Sequence, residues 1–280
     1  AIQDTPMATR VTFIGAGNMA SAIIGGMIES GHSPSSITAT SPSDAFLAPV
    51  HERYGIHTNT DNVAAVAQAD VVVLAVKPQI MKEVCEGLAS VVQQRRPLLI
   101  SVAAGLDAET LEAWLGGDLA IVRCMPNTPA LVGAGASGLY ANAKVSDEQR
   151  ALATELMEAV GLVAWVEEEP LLDAVTAVSG SGPAYFFLMF EAMEEAGVRL
   201  GLPAETARRL AMQTALGAAK MAMASDKPPE ELRRNVMSPG GTTERAVSRL
   251  EQGGLRQLMA EAMEECAERA REMAAELGKR

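Results

Sequence analysis

The segment RVTFIGAGNMASAIIGGMIESG, residues 10–31, restricts the architecture of this chain more than any other. It reads as a strand, a tight glycine turn and a helix. Gly15-Ala16-Gly17-Asn18-Met19-Ala20 has the form G-x-G-x-x-A. Gly15 permits the turn, and Gly17 lets a pyrophosphate reach the backbone. Ala20 is small enough for the helix to pack on its strand, and the helix start offers unpaired N–H groups to phosphates. Alone such a string is weak. At the first strand of an alternating α/β sequence it points strongly to a dinucleotide.

That alternation is present. RVTFI (10–14), ITAT (37–40), VVVLAV (71–76), LLISV (98–102), AIVRCM (120–125), SGLYA (137–141) and LVAWV (162–166) read as strands. Helical stretches lie between most of them, among them 18–30, 61–69, 79–93 and 107–116. Runs such as VVVLAV do not alternate, as expected of strands buried on both faces of a parallel sheet. The expected fold is an α/β Rossmann-type doubly wound domain, residues 8–167, followed by an all-α helical domain, residues 168–280.

The second half has a different pattern. LPAETARRLAMQTALGAAKMAMAS (202–225) carries Pro203 in its first turn and runs unbroken to Asp226-Lys227-Pro228-Pro229. In the last segment Leu255, Leu258, Met259, Ala262, Met263, Cys266, Met273, Ala274 and Leu277 share one helix face. The methionines read as core filler, and small residues allow close helix approach, so the same helices suit a dimer interface. Sequence does not separate these two readings.

At 280 residues, 48% of them hydrophobic, the chain can bury a sizeable core. A net charge of −12 without a basic tract argues against nucleic acid or an anionic membrane as partner. No apolar run has the length of a membrane span. AIQDTPMATR lacks the order of a signal peptide, and residues 1–6 read by composition as a cloning remnant ending near Met7. Cys85, Cys124 and Cys266 are widely spaced and odd in number, which suits a reducing cytoplasm. No Cys/His pair has metal-ligand spacing, so no metal is expected.

Other segments belong to the cofactor. An acid at the end of the second strand would grip a ribose 2′-hydroxyl. Here ITAT runs into Ser41-Pro42-Ser43, and the nearest acid is Asp44. Thr40, Ser41 and Ser43 suit a 2′-phosphate, which favours NADP (NADPH) moderately, with NAD as the alternative. Lys77 in AVKPQ (75–79) stands beyond a strand end as a cofactor contact or a solvated side chain. SVAAG (101–105) and RCMPNTP (123–129) leave later strands at the same edge and should wall the nicotinamide.

Dehydrogenases of alcohols need a proton donor near the carbon that accepts hydride, usually His, Lys or Tyr. The second half has no histidine; its lysines are Lys220, Lys227 and Lys279 and its tyrosine is Tyr185. A protonated imine removes the need, because its nitrogen already carries the charge. The site then has to orient the ring, hold a carboxylate and exclude water. SPGGTTERAV (238–247) offers the parts: glycines that bring backbone close, and a Ser/Thr-capped helix start with bare N–H groups. A plain capped helix is the competing reading. The expected arrangement has the N–H groups of Gly240 to Thr243 on a carboxylate and the Thr243 hydroxyl facing the imine nitrogen.

SPGGTTERAVSRL (238–250), VSGSGPAYFF (178–187), RCMPNTPALVGAGASGLYA (123–141), AVKPQ and FIGAGNMA occur in this order, and over residues 10 to 277 the chain resembles bacterial members of the pyrroline-5-carboxylate reductase family. The resemblance implies reduction of Δ1-pyrroline-5-carboxylate to L-proline with NADPH or NADH, the last step of proline biosynthesis. It implies homodimers through the helical domains, homodecamers built from them, and an active site between the cofactor domain and the dimer's bundles. It places the phosphate turn at Ile14, Gly15, Ala16, Gly17, Asn18 and Met19, with Ser41 at the adenosine ribose or its 2′-phosphate. Asn62, Ala75, Val76, Lys77, Pro78, Ala103, Ala104 and Asn235 line the cofactor by the same resemblance. Thr242, Thr243 and Glu169 contact substrate, joined by Ser238, Gly240 and Gly241 of the glycine loop. Glu169 lies in VEEEPLLDAV, where three acids in a row ordinarily mark a solvated linker. Two rivals stand beside this reading: a β-hydroxyacid dehydrogenase using Lys220, and a non-catalytic NADP-binding sensor.

Overall fold

In the computed structural model residues 8–278 are described, and the remnant suggested before Met7 lies outside them. Among these residues eight strands form one sheet: β1 (Val11–Ile14), β2 (Ile37–Thr40), β3 (His57–Asn59), β4 (Val71–Leu74), β5 (Leu98–Ser101), β6 (Ile121–Met125), β7 (Gly135–Ala141) and β8 (Gly161–Trp165). Their order is β3-β2-β1-β4-β5-β6-β7-β8. The pairings from β3 to β6 are all parallel, β7 is antiparallel to β6, and β8 is parallel to β7. The chain reverses direction across the sheet between β1 and β4, which makes their carboxyl ends the switch point where such sheets bind ligands.

Helices α1 (Asn18–Glu29), α2 (Asp44–Tyr54) and α6 (Asp147–Glu158) cover one face of the sheet. Helices α3 (Asn62–Val66), α4 (Pro78–Arg95) and α5 (Ala108–Trp114) cover the other. Val71 and Val73 point to the first face and Val72 and Leu74 to the second, all buried. Both faces are therefore dry, which is why these strands carry no polar alternation. The doubly wound sheet matches the sequence expectation. β3 and α2 escaped it for local reasons: HTN is short, polar and at the sheet edge, and Pro49 sits inside α2.

The described chain forms two compact units. One holds the residues up to Ser181 and those from Cys266 onward; the other is Gly182–Glu265. Strand content ends near residue 166, whereas α7 (Leu171–Val175) and the π-turn Thr176–Gly180 still belong to the sheet unit. So does the end of the last helix, α12 (Leu255–Gly278), whose Leu277 packs against the sheet core.

The helical unit contains α8 (Gly182–Arg199), α9 (Ala204–Ala224), α10 (Pro229–Asn235), α11 (Thr242–Gln252) and the start of α12. Helix α9 begins after Pro203, which caps it rather than occupying its first turn. A Cβ on Gly197 would come within 2.8 Å of the Ala207 Cβ, so small residues set the approach of α8 to α9. Among the described apolar side chains of this unit, those as buried as core residues are Ala207 and Ala211, each 5% exposed. Phe186, Phe187, Leu188, Met221 and Met223 are all exposed in the single chain. These methionines are therefore not core filler within one protomer.

The sheet unit is packed tightly enough to distinguish one glycine from another. A Cβ on Gly26 in α1 would lie 2.4 Å from the Ala159 carbonyl oxygen, whereas one on Gly87 in α4 would meet nothing within 4 Å. Gly26→Ala is expected to destabilise by about 1–3 kcal/mol through overpacking. Gly87→Ala is expected to stabilise by about 0.5–1 kcal/mol through helix propensity. Urea midpoints of the two variants measure both.

Candidate active site

The phosphate turn is built by close approach. Gly15 has φ +105°, its N–H donates to the Thr40 carbonyl at 3.1 Å, and a Cβ there would stand 2.7 Å from the Ala75 oxygen. Ile14 is buried beneath it. Gly17 is the N-cap of α1 and makes no side-chain capping bond; Asn18 and Met19 open the helix, with no acid in its first turn. A Cβ on Gly17 would meet nothing within 4 Å, so open space lies beside these free N–H groups. Close by, the Thr40 hydroxyl is buried and its Oγ1 has no hydrogen-bond partner. A turn without side chains, an uncapped helix start and an unsatisfied hydroxyl fit a dinucleotide pyrophosphate and ribose.

The other expected cofactor residues of the sheet unit lie at the same edge. Ser41 follows β2, Asn62 opens α3 after β3, and Ala75 and Val76 leave β4. Lys77 is the exposed N-cap and Pro78 the first residue of α4, again without a side-chain cap. Ala103 and Ala104 follow β5, with the Ala103 N–H bonded to the Ser101 hydroxyl at 3.3 Å. A cavity of about 390 Å³ opens here, lined by Ala104, Gly105, Arg123, Met125, Thr176 and Met273, among others. Segments 101–105 and 123–129, expected beside a nicotinamide, thus contribute to its wall. Asp173 also lines it, and burial raises its carboxyl above the usual range against the pull of Arg271 and Arg123.

Glu169 is not a solvated linker residue. Its Oε2 accepts the Ala108 N–H at 2.8 Å and pairs with Arg123 Nη1 at 3.0 Å. The two side chains are only 11% (Arg123) and 23% (Glu169) exposed. Sequence reasoning passed over Arg123, although an arginine inside the apolar run AIVRCM needs a buried partner. The Arg123 Nε is itself buried without a partner.

Asn235, Ser238 and the glycine loop belong to the helical unit. Helix α11 starts at Thr242 with Gly241 as its N-cap and no side-chain capping bond, which corrects the expected Ser/Thr cap. Two of the N–H groups expected to bind an anion are engaged within the loop. Gly241 donates to the Ser238 carbonyl at 2.9 Å, and Gly240 donates to Glu244 Oε1 at 3.2 Å. Thr242 and Thr243 head the helix, where N–H groups have no partner four residues back. Arg245 and Arg249 line a hollow of about 380 Å³ beside Gly240 and Gly241, which places two cations next to this loop.

Nucleophilic thiol chemistry has little support at the sheet. Burial, with help from Glu86, pushes the Cys85 thiol up to about 12, and burial does the same at Cys124. Among the described residues no cluster of three or more His, Cys, Asp or Glu is placed to hold a metal ion. No described helix is long and apolar enough to cross a membrane.

A bare phosphate turn at the switch point of a doubly wound sheet, followed by a helical unit, defines a nicotinamide-dependent oxidoreductase. Residues 10–105 match the family described as NADP oxidoreductase, coenzyme F420-dependent, and residues 169–273 match pyrroline-5-carboxylate reductase dimerisation. The pyrroline-5-carboxylate reductase of Pseudomonas aeruginosa is 51% identical over 269 residues, covering 96% of this chain and 98% of that protein. The chain belongs to the pyrroline-5-carboxylate reductase family. A solved reductase from Coxiella burnetii superposes with a TM-score of 0.93 at 47% identity, covering 95% of this chain and 98% of the other. The Plasmodium falciparum pyrroline carboxylate reductase, solved with NADP bound, gives 0.81 at 30% identity over 95% of this chain and 98% of its own.

Removing Glu169 should leave the largely buried Arg123 without its ion-pair partner and the Ala108 N–H at the start of α5 without its acceptor. Glu169→Ala is expected to lower stability by about 2–4 kcal/mol in denaturant unfolding. Glu169→Gln, which keeps an acceptor, should lose clearly less.

Proposed function

We propose that in this chain a helix start, and not a proton-donating side chain, serves the reduction of Δ1-pyrroline-5-carboxylate to L-proline. The protein is an NAD(P)H-dependent oxidoreductase acting on a C=N bond, the reductive step that completes proline biosynthesis. The observation that carries the assignment of roles is the start of α11: Gly241 caps it without a side chain, and Thr242 and Thr243 are its first two residues.

A nicotinamide held at the phosphate turn would supply hydride for the imine carbon. The protonated nitrogen takes the electron pair of the C=N bond and becomes a neutral ring amine, so that step needs no proton from the chain. Thr242 and Thr243 N–H groups hold the substrate carboxylate, with Ser238, Gly240 and Gly241 shaping the loop. The Thr243 hydroxyl faces the ring nitrogen and orients it. Because Glu244 already accepts the Gly240 N–H, a substrate carboxylate meets the threonine end of the loop. Glu169, fixed by Arg123, contributes a substrate contact. Ile14, Gly15, Ala16, Gly17, Asn18 and Met19 hold the pyrophosphate, and Ser41, Asn62, Ala75, Val76, Lys77, Pro78, Ala103, Ala104 and Asn235 line the rest of the cofactor.

Residues 8–167 serve as the cofactor domain and residues 168–280 as the domain for dimerisation and substrate. Exposure of Phe186, Phe187, Leu188 and Met223 supports pairing with a second copy as a homodimer, and dimers assemble further into a homodecamer. The compartment is the cytoplasm, where Cys85 and Cys124 stay reduced.

Lys220, the acid/base candidate of the dehydrogenase alternative, is exposed on α9. Following nicotinamide absorbance with pyrroline-5-carboxylate as substrate tests both roles. Thr243→Ala should cost about 1–3 kcal/mol of transition-state stabilisation. Lys220→Ala should leave turnover unchanged; loss of activity there, with Thr243→Ala unaffected, would transfer the chemistry to the lysine. A protein that shows no nicotinamide oxidation at all is a sensor.

A further inference from the structure

The loop that follows β5 is fixed at both ends by hydrogen bonds. The Val102 N–H donates to the Leu74 carbonyl at 3.1 Å, and the Ala108 N–H donates to Glu169 Oε2 at 2.8 Å. Its middle is held by packing. Gly105 turns the chain with φ +80°, and the end of α12 takes the space that a side chain would fill there. A Cβ on Gly105 would stand 2.7 Å from Leu277 Cδ1 and 3.7 Å from Ala274 Cα. All three residues belong to the sheet unit, and Leu277 packs on the buried cluster that contains Ala103 and Leu106. A leucine methyl therefore rests directly on loop backbone.

Leu277 also borders two hollows. One is the cavity of about 390 Å³ lined by Ala104 and Gly105; the other, of about 360 Å³, lies along α4 and is lined by Lys82, Glu83 and Glu86. Pro78, Gln79 and Leu277 border both, and of these Leu277 alone comes from outside α4. Hydride transfer depends steeply on placement, since an error of about 1 Å can cost on the order of a hundredfold in rate. We propose that Leu277 is a positioning residue for hydride transfer: seated on Gly105, it fixes the backbone of residues 103–105 as the surface the nicotinamide lies on, and it separates that cavity from the charged hollow along α4. Leu277 acts through the loop and touches neither substrate nor cofactor. The inference rests on the reading of segment 101–105 as nicotinamide wall and goes beyond it by giving a residue of the last helix a part in the reaction.

The test separates the hydride step from folding and from binding. Whole enzyme preloaded with NADPH is mixed with excess pyrroline-5-carboxylate, and the first turnover is followed by nicotinamide absorbance. A smaller folded fraction lowers the amplitude of that phase, whereas a misplaced nicotinamide lowers its rate constant. Calorimetry with adenosine 2′,5′-bisphosphate, which lacks the nicotinamide, reads the rest of the cofactor site. L277A should lower the rate constant by about tenfold or more while bisphosphate affinity stays within about twofold. L277M, which nearly conserves volume, should recover most of the rate. If L277A does not fold, L277V replaces it, with an expected slowing of about two- to threefold. A wild-type rate constant in the variant that folds, or a matching loss of bisphosphate affinity, makes Leu277 a merely structural residue and overturns the proposal. A104V tests the wall reading separately: Ala104 is exposed, so a larger side chain there obstructs the nicotinamide without disturbing the core. Slowing in A104V with a wild-type rate constant in L277A overturns the role of Leu277 alone; wild-type rate constants in both overturn the wall reading with it.

Discussion

Gly15 lets two loops of the sheet occupy nearly the same space. The backbone after β1 passes so near the Ala75 carbonyl that a methyl group at Gly15 would overlap it by about an ångström of ordinary contact distance. Because of that approach the turns after β1 and β4 form one continuous lip at the switch point. Two helix starts, those of α1 and α4, flank the lip, and neither is capped by a side chain. Electropositive backbone at a place without side chains is what an anionic cofactor needs. The strands behind the lip, β1 and β4, are buried on both faces, so it is carried on a rigid support.

A similar device recurs at α11, where Gly241 stands in place of a capping side chain. Exposed backbone dipoles thus stand at the starts of α1, α4 and α11, in a chain with an excess of acids. The Glu244 carboxylate folds back onto Gly240 and occupies part of that potential itself. Substrate chemistry that begins from a cation needs orientation more than proton transfer, and a short helix start supplies orientation at little cost in buried charge.

Much of this was legible because the glycine turn and the unbroken valine runs have single physical explanations. Gly15 is needed for the close approach to Ala75, Gly17 leaves open space at the helix start, Ala20 is buried against the sheet, and VVVL is tolerated only where both faces are dry. Other features depend on contacts that sequence does not express. HTN forms β3 only because β2 offers an edge, and α2 forms despite Pro49 because Ser43 caps it and Leu47 and Val50 reach the core. Three consecutive acids at 167–169 looked solvated, yet Glu169 is drawn inward by Arg123 from β6. The identity of the α11 cap was missed because Thr242 and Gly241 are equally good candidates on paper, and only backbone dihedrals separate them.

The helical unit buries so little apolar surface within one chain that Ala207 and Ala211 are its most enclosed apolar side chains among the described residues. Its persistence is therefore a matter of mass action: as total protein is diluted, the second half should loosen while the dinucleotide half keeps its shape. A freshly made polypeptide would pass through a stage in which it grips nucleotide before it has a finished bundle. The rate of gaining activity would then scale with how often two such chains meet.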